Sequence, residues 1–165
     1  MVEWSMSQRK HPVAIRVPGN GVISNPDYKP ADFDKLNKYS VAKKGSKVAI
    51  LGLGTFYQLG ESVADEIKKQ YGIAATLVNP VYITGADDEL LSELEKDHDV
   101  VITLEDGILE GGFGEKIARF YGKTNVKVLN YGLKKEFIDR YDYNEILAEN
   151  RLTKEQICDD VKNFI

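Results

Sequence analysis

Residues 100–121 read VVITLEDGILEGGFGEKIARFY, and the rest of the chain is organised around them. Val100 to Leu104 is a short apolar run, the composition of a buried strand. Glu105, Asp106 and Gly107 are expected to end that strand, and a loop holding Gly111, Gly112 and Gly114 follows. Lys116 to Tyr121 is predicted as a helix, because Ile117, Phe120 and Tyr121 recur at helical spacing. Strand, glycine loop and helix in that order form one unit of an open α/β sheet. Glycines at a helix start let backbone, a ligand or a neighbouring subunit come close, and the bare N–H groups there suit an anion. A tight loop packed against protein would need the same glycines, so both readings stay open.

Outward from this unit the pattern repeats. Lys47 to Leu51 (KVAIL) is predicted as a strand, after which Gly52 and Gly54 turn the chain. Phe56, Leu59, Val63, Ala64 and Ile67 then share one helical face, and Gly72 is placed to end that helix. Ala75 to Val78 is the next strand, stopped by Asn79 and Pro80. Asp87 to Asp97 reads as a helix with acidic residues in its first turn, where the helix dipole favours them. Val126 to Asn130 is the last strand, and Thr153 to Gln156 forms a capping box. It opens a closing helix whose Ile157, Val161, Phe164 and Ile165 are expected to face one way.

The N-terminal third is different. Val2 to Gln8 resembles the end of an amphipathic helix, and Val13 to Ile15 is a short apolar run between Pro12 and Pro18. Gly19 to Lys44 carries Pro26 and Pro30 with no sustained apolar period, which reads as a linker. Proteolysis is therefore expected to trim the chain before about Lys44.

Composition bounds the function. The 165 residues are 42% hydrophobic and 29% charged, which is ordinary for a globular domain. A net charge of −4 argues against a nucleic-acid partner. The apolar runs fall far short of the roughly 20 residues a membrane span needs. Cys158 alone permits neither an internal disulfide nor a cysteine metal cage, which fits a reducing cytoplasm. His11 and His98 are too few and too separated to suggest a metal site.

Each candidate site has a bland counterpart. Gly52-Leu53-Gly54 invites a dinucleotide reading, but Tyr57 stands where that fingerprint needs a third small residue. Asn79-Pro80 stands where it needs an acid for the ribose. Glu105, Asp106 and Glu110 lie at the carboxyl end of a strand, where open sheets bind ligands. No histidine or lysine is fixed beside them, so they read as solvated loop carboxylates. His98 follows a helix and could stabilise its C-terminal end. No nucleophile arrangement is present, so no catalytic, cofactor-binding or metal residue is assigned.

In order along the chain, several stretches resemble the C-terminal domain of transketolase-like, thiamine-diphosphate-dependent enzymes. They are His11-Pro12-Val13-Ala14-Ile15-Arg16-Val17-Pro18, Lys47 to Thr55, His98-Asp99, Thr103-Leu104-Glu105-Asp106, Gly111-Gly112-Phe113-Gly114, Leu129 to Leu133, Phe137-Ile138 and Leu152-Thr153. Within that group the residues are most similar to the 1-deoxy-D-xylulose-5-phosphate synthases of isoprenoid biosynthesis. The resemblance implies a three-layer α/β fold, with a mixed, mostly parallel five-stranded sheet and helices on both faces. It implies that residues 1–18 are the tail of a preceding pyrimidine-binding domain, 19–45 a linker and 46–165 the C-terminal domain.

The same resemblance implies that thiamine diphosphate and Mg²⁺ sit in upstream domains, between the subunits of a cytoplasmic homodimer. The domain itself would be inactive and bind no cofactor. Glu105, Asp106, Gly111, Gly112, Phe113 and Gly114 would pack an interface and frame the site entrance, and Arg16, which matches the earlier of the synthases' two arginines, is the one candidate for substrate contact, with a structural role as its alternative. Two departures stand out. Gly19 and Asn20 follow Pro18, where the synthases carry a second, phosphate-directed arginine, and Lys134-Lys135 replaces a Pro-Asp pair. The first departure keeps open a transketolase half or the beta subunit of a 2-oxoacid dehydrogenase. A stand-alone α/β module binding a partner or small anion is the reading from outside the superfamily.

Overall fold

A computed structural model describes residues 1–17, 21, 32–139 and 142–165. It divides into two compact units, Met1–Leu36 and Asn37–Ile165. In the first, helix α1 (Val2–Ser7) buries no residue. Trp4 is held by its indole N–H on Asp34 (2.9 Å) and by the tilted Phe33 ring at 5.9 Å. Residues 12–17 adopt neither helix nor strand, and a lone extended segment has no ladder to stabilise it. Pro18, Gly19, Asn20, Pro26 and Pro30, on which the linker reading rests, lie outside the described residues.

The second unit is built on one five-stranded sheet. Its strands are β1 (Ser40–Lys43), β2 (Lys47–Gly52), β3 (Thr76–Asn79), β4 (His98–Ile108) and β5 (Lys127–Leu133), in the spatial order β1-β3-β2-β4-β5. Only β1 runs antiparallel, on β3; the other three pairings are parallel. Helices α2 (Tyr57–Tyr71), α3 (Asp88–Leu94) and α4 (Phe113–Tyr121) follow β2, β3 and β4, and α5 (Tyr143–Glu149) and α6 (Lys154–Val161) close the chain.

Strand alternation divides the core in two. Val48 and Ile50 of β2 join Val100, Ile102 and Leu104 of β4 under α2 and α6. Ala49, Leu51 and Val101 face the other way, under Leu91 of α3 and Phe113, Ile117 and Tyr121 of α4. Successive side chains point to opposite faces, so continuous apolar runs are what a sheet covered on both sides requires. The three-layer, mostly parallel expectation is met.

Boundaries moved at several places. The stretch read as linker contains β1, and the compact unit starts at Asn37. Lys38 reaches Asp87 (3.0 Å) and Glu89 (2.7 Å), and the Tyr39 N–H donates to Asp87 (3.0 Å), which fastens the segment beside α3. A short edge strand buries too little to leave an apolar period. The protected proteolytic fragment is therefore expected to begin near Asn37 rather than Lys44. Helix α2 ends as expected at Gly72, which has φ +71°.

At the closing helix the Thr153 hydroxyl accepts from the Gln156 N–H at a long 3.4 Å. The Gln156 side chain does not complete a reciprocal box: it bonds the Thr153 hydroxyl (2.9 Å) and the Ala148 carbonyl (3.0 Å). Ile157 and Val161 are buried, but Phe164 and Ile165 are partly exposed, because a 3₁₀ turn over Lys162–Phe164 shifts them off that face.

Candidate functional site

The chain leaves β2 toward β3 on one side, while β4 lies on the other. The carboxyl ends of β2 and β4 therefore flank the point where strand order reverses, the usual ligand position in such sheets. Here that point is closed at its base by the Leu53 N–H donating to the Leu104 carbonyl (2.9 Å). Above it, Thr55 Oγ1 stands 3.5 Å from Asp106 Oδ2, too long for a strong bond.

Strand β4 does not stop at Leu104. It runs to Ile108 through a register irregularity against β5, so Glu105, Asp106 and Gly107 continue the strand rather than break it. Continuation matters because alternation then sends Glu105 to the same face as Val101 and Thr103, the face that α4 covers. Glu105 is buried, and its two carboxylate oxygens accept from the N–H groups of Phe113 and Gly114, each at 2.8 Å. These are the first two residues of α4, which begins at Phe113, three residues earlier than its apolar spacing indicated.

The anion at this helix start is thus part of the protein. A carboxylate there satisfies two orphan donors and meets the positive end of the helix dipole. The three glycines are each accounted for by the same arrangement. Gly111 has φ +72° and open space around it. A Cβ on Gly112 would come within 2.5 Å of Glu105 Oε2, and one on Gly114 within 2.6 Å of Thr103 Oγ1. Glu115 adds a second tie, accepting from the Gly111 N–H at 2.9 Å. The tight-loop reading of the glycines holds, and the solvated-carboxylate reading fails for Glu105.

The other acids behave differently. Asp106 is half-buried, while Glu110 is exposed and paired with Lys135 (2.8 Å). Arg16 is exposed and belongs to the N-terminal unit. Asn79 Oδ1 accepts from the Val81 N–H (3.0 Å), so its amide serves a turn. His98 caps the end of α3 as expected, with Nδ1 donating to the Leu94 carbonyl (2.9 Å). Its Nε2 lies 2.7 Å from Thr76 Oγ1, which also accepts from the Gly45 N–H (2.9 Å). Cys158 is buried, and desolvation pushes its thiol up to about 11. A thiol so placed is a packing group at neutral pH.

Two polar contacts of the unit went unread. Thr103 Oγ1 donates to Asn130 Oδ1 (2.8 Å) beneath Gly114, and Asp87 ties Tyr39, just ahead of β1, to the start of α3. The first had a signal, since a threonine interrupts the apolar run VVITL; the second joins residues 48 apart and had none.

Could these residues hold thiamine diphosphate and its metal? The N–H groups suited to a diphosphate are already taken by Glu105, whose charge would repel one. No group of three or more His, Cys, Asp or Glu among the described residues could hold a metal ion. Two shallow hollows, of about 520 and 300 Å³, lie by Gln70 and Asp159 and by Glu136 and Glu149, and neither is lined by Gly111, Gly112 or Gly114. The described residues do not fit the cofactor.

Comparison with known proteins agrees with the architecture. The family described as transketolase, C-terminal domain, matches residues 37–157. A 1-deoxy-D-xylulose-5-phosphate synthase of Pseudoalteromonas translucida (strain TAC 125) is 35% identical over 160 residues, covering 96% of this chain and 25% of the relative. The synthase of Clostridium tetani (strain Massachusetts / E88) is 29% identical over 167 residues, covering 100% and 26%. The chain thus spans about a quarter of the length of these curated relatives. Among solved structures, a split-gene transketolase described as an inactive beta4 tetramer superimposes with a TM-score of 0.71 at 24% identity, covering 90% of this chain and 45% of that one.

Proposed function

The chain belongs to the transketolase C-terminal-domain family, and on that premise we propose that it is the C-terminal domain of a thiamine-diphosphate-dependent transferase of the 1-deoxy-D-xylulose-5-phosphate synthase type. The observation that carries this reading is the 35% identity with such a synthase over nearly the whole chain. The intact enzyme would join a two-carbon unit from pyruvate to glyceraldehyde 3-phosphate, toward isoprenoid precursors. Bound elsewhere in that enzyme, the cofactor supplies the electron sink for the carbanion.

What this chain contributes is positional. The Glu105 carboxylate holds the glycine loop rigid at the carboxyl edge of the sheet, and that loop would frame the site entrance. Residues 1–18 would be the tail of the preceding pyrimidine-binding domain and the stretch up to Leu36 a connector. Mg²⁺, a homodimeric assembly and a cytoplasmic setting belong to the same proposal, with Arg16 its candidate for substrate contact.

A chimera tests it: the chain replaces the C-terminal quarter of the Pseudoalteromonas synthase. Turnover of pyruvate that depends on glyceraldehyde 3-phosphate is expected. A chimera that folds and binds thiamine diphosphate but turns nothing over would refute the assignment. So would tight, Mg²⁺-dependent thiamine diphosphate binding by the 165-residue chain alone in calorimetry. A transketolase half is favoured by one observation, Gly19 and Asn20 in place of the phosphate-directed arginine. Losing one charge-assisted phosphate contact costs roughly 1.5–3 kcal/mol. Ketose-phosphate turnover by the chimera, with pyruvate inert, would select that second reading.

A further inference from the structure

The corner between β1 and β2 is fastened through a histidine. The chain leaves β1 at Lys43, and Lys47, which opens β2, sits at φ +67°. A lysine keeps that left-handed backbone only where its surroundings fix it. Three bonds hold the corner. The Gly45 N–H donates to Thr76 Oγ1 (2.9 Å), the Ser46 N–H to the Ala74 carbonyl (2.9 Å) and the Lys47 N–H to the Asp97 carbonyl (2.8 Å). Only the first reaches a side chain, and Thr76 Oγ1 is itself 2.7 Å from His98 Nε2.

Counting protons along these contacts fixes the state of the imidazole. A carbonyl can only accept, so His98 Nδ1 carries a proton toward Leu94 (2.9 Å). In the neutral ring Nε2 is then bare and accepts from the Thr76 hydroxyl, whose oxygen accepts from the Gly45 N–H. A second proton on the ring would make Nε2 a donor facing a donor. Thr76 is 3% exposed and His98 7%, so water does not reach in to take the displaced hydroxyl proton. Around them stand Asp97 and Asp99 beside His98, Glu95 and Lys96 after α3, Lys47 across the strands, and Lys43 and Lys44 at the corner. All seven are exposed. Both ring nitrogens meet neutral groups, so no carboxylate receives the added charge. A buried donor left without a partner and a buried charge without a counterion both favour opening.

We propose that His98 is a proton-operated latch: neutral, it holds the Gly45 corner through Thr76, and protonated, it releases that corner and with it the end of β1. The strand is suited to such release. It is four residues long, and its register with β3 shifts between Val41 and Lys43, so little ladder holds its last residues. Its other end stays fastened, because Lys38 and the Tyr39 N–H both reach Asp87. Loss of the Gly45 bond therefore frees the edge from one end, a local opening that leaves the rest of the sheet paired. The strained backbone at Lys47 relaxes in the same step.

The test is nuclear magnetic resonance on the isotope-labelled 165-residue chain, titrated from mildly alkaline to acidic pH. Imidazole nitrogen shifts report the state of His98. Hydrogen exchange, corrected for the intrinsic rate at each pH, reports the Gly45 amide. At the start the ring is expected in its Nδ1–H form. As it takes the second proton, Gly45 protection should fall about tenfold or more, while the Leu53 amide, bonded to Leu104 at the far end of β2, keeps its protection. Thr76→Val removes the hydroxyl and should leave Gly45 unprotected at every pH, and Thr76→Ser should restore the step. Should Thr76→Val not fold, the titration of the unaltered chain decides alone. An Nε2–H ring at the start, a protonated His98 with Gly45 still protected, or a chain that unfolds before the ring takes the proton would overturn the proposal. None of these results bears on the thiamine reading, which the activity of the chimera decides.

Discussion

The turns after β2 and after β4 share a pattern of strand, glycines and helix, yet they are stabilised by different forces. After β2 the work is done by backbone shape. Gly54 sits at φ +60° in open space, and a Cβ on Gly52 would come within 2.7 Å of the Tyr57 Cα. Helix α2 has no side-chain cap and no acid in its first turn. After β4 a buried carboxylate does the work, reaching two N–H groups eight and nine residues further on. The difference teaches that a glycine-rich helix start is an anion site only when no internal anion fills it.

Breaking the second turn should cost most. Glu105→Ala leaves two buried donors without partners, and a loss of about 3 kcal/mol is expected in urea unfolding. If the loss were only a few tenths, the carboxylate would not be what fixes the loop. Gly114→Ala comes next, at about 2 kcal/mol, since the added methyl must displace Thr103 or Asn130. The matching change in the first turn, Gly54→Ala, meets no atom and should cost only about 1 kcal/mol, from its left-handed backbone alone. Equal costs for the two glycines would erase the contrast between packing and conformation.

Two further helix starts extend the series. Thr153→Ala at α6 should cost about 0.5 kcal/mol, the low end for caps, because its bond to the Gln156 N–H is long. Asp87 at α3 gives a pH signature. Burial pulls its pKa up, but the Tyr39 N–H, Lys38 and the Leu90 N–H together hold it below the ordinary 3.8. A depressed folded-state pKa adds stability above the unfolded value, and this is lost as pH falls below about 3.8. Asp87→Asn should therefore flatten the acid limb of the stability profile while leaving its slope near neutrality unchanged.

Much of the fold was legible because it depends on local pattern. The apolar runs 47–51 and 100–104, the helical face from Phe56 to Ile67 and the stop at Gly72 follow from side-chain period and glycine geometry. The misreadings have one cause. Glu105 looked like a strand breaker, β1 like linker, and Lys116 like a helix start, because each is settled by a partner distant in sequence. A carboxylate is solvated by default and is buried only where donors converge on it. A four-residue edge strand exists only because β3 offers a ladder.

The family resemblance was likewise written in the order of the motifs, which here shape the turns after β2 and β4. Sequence alone thus determined the alternation of strands and helices and the family to which the domain belongs, because period and turn chemistry act over a few residues. Tertiary structure alone decided that the helix start beside the switch point is filled from within, and that residues 40–43 form an edge strand on β3. Both depend on groups brought together by the sheet, and no local rule contains that information.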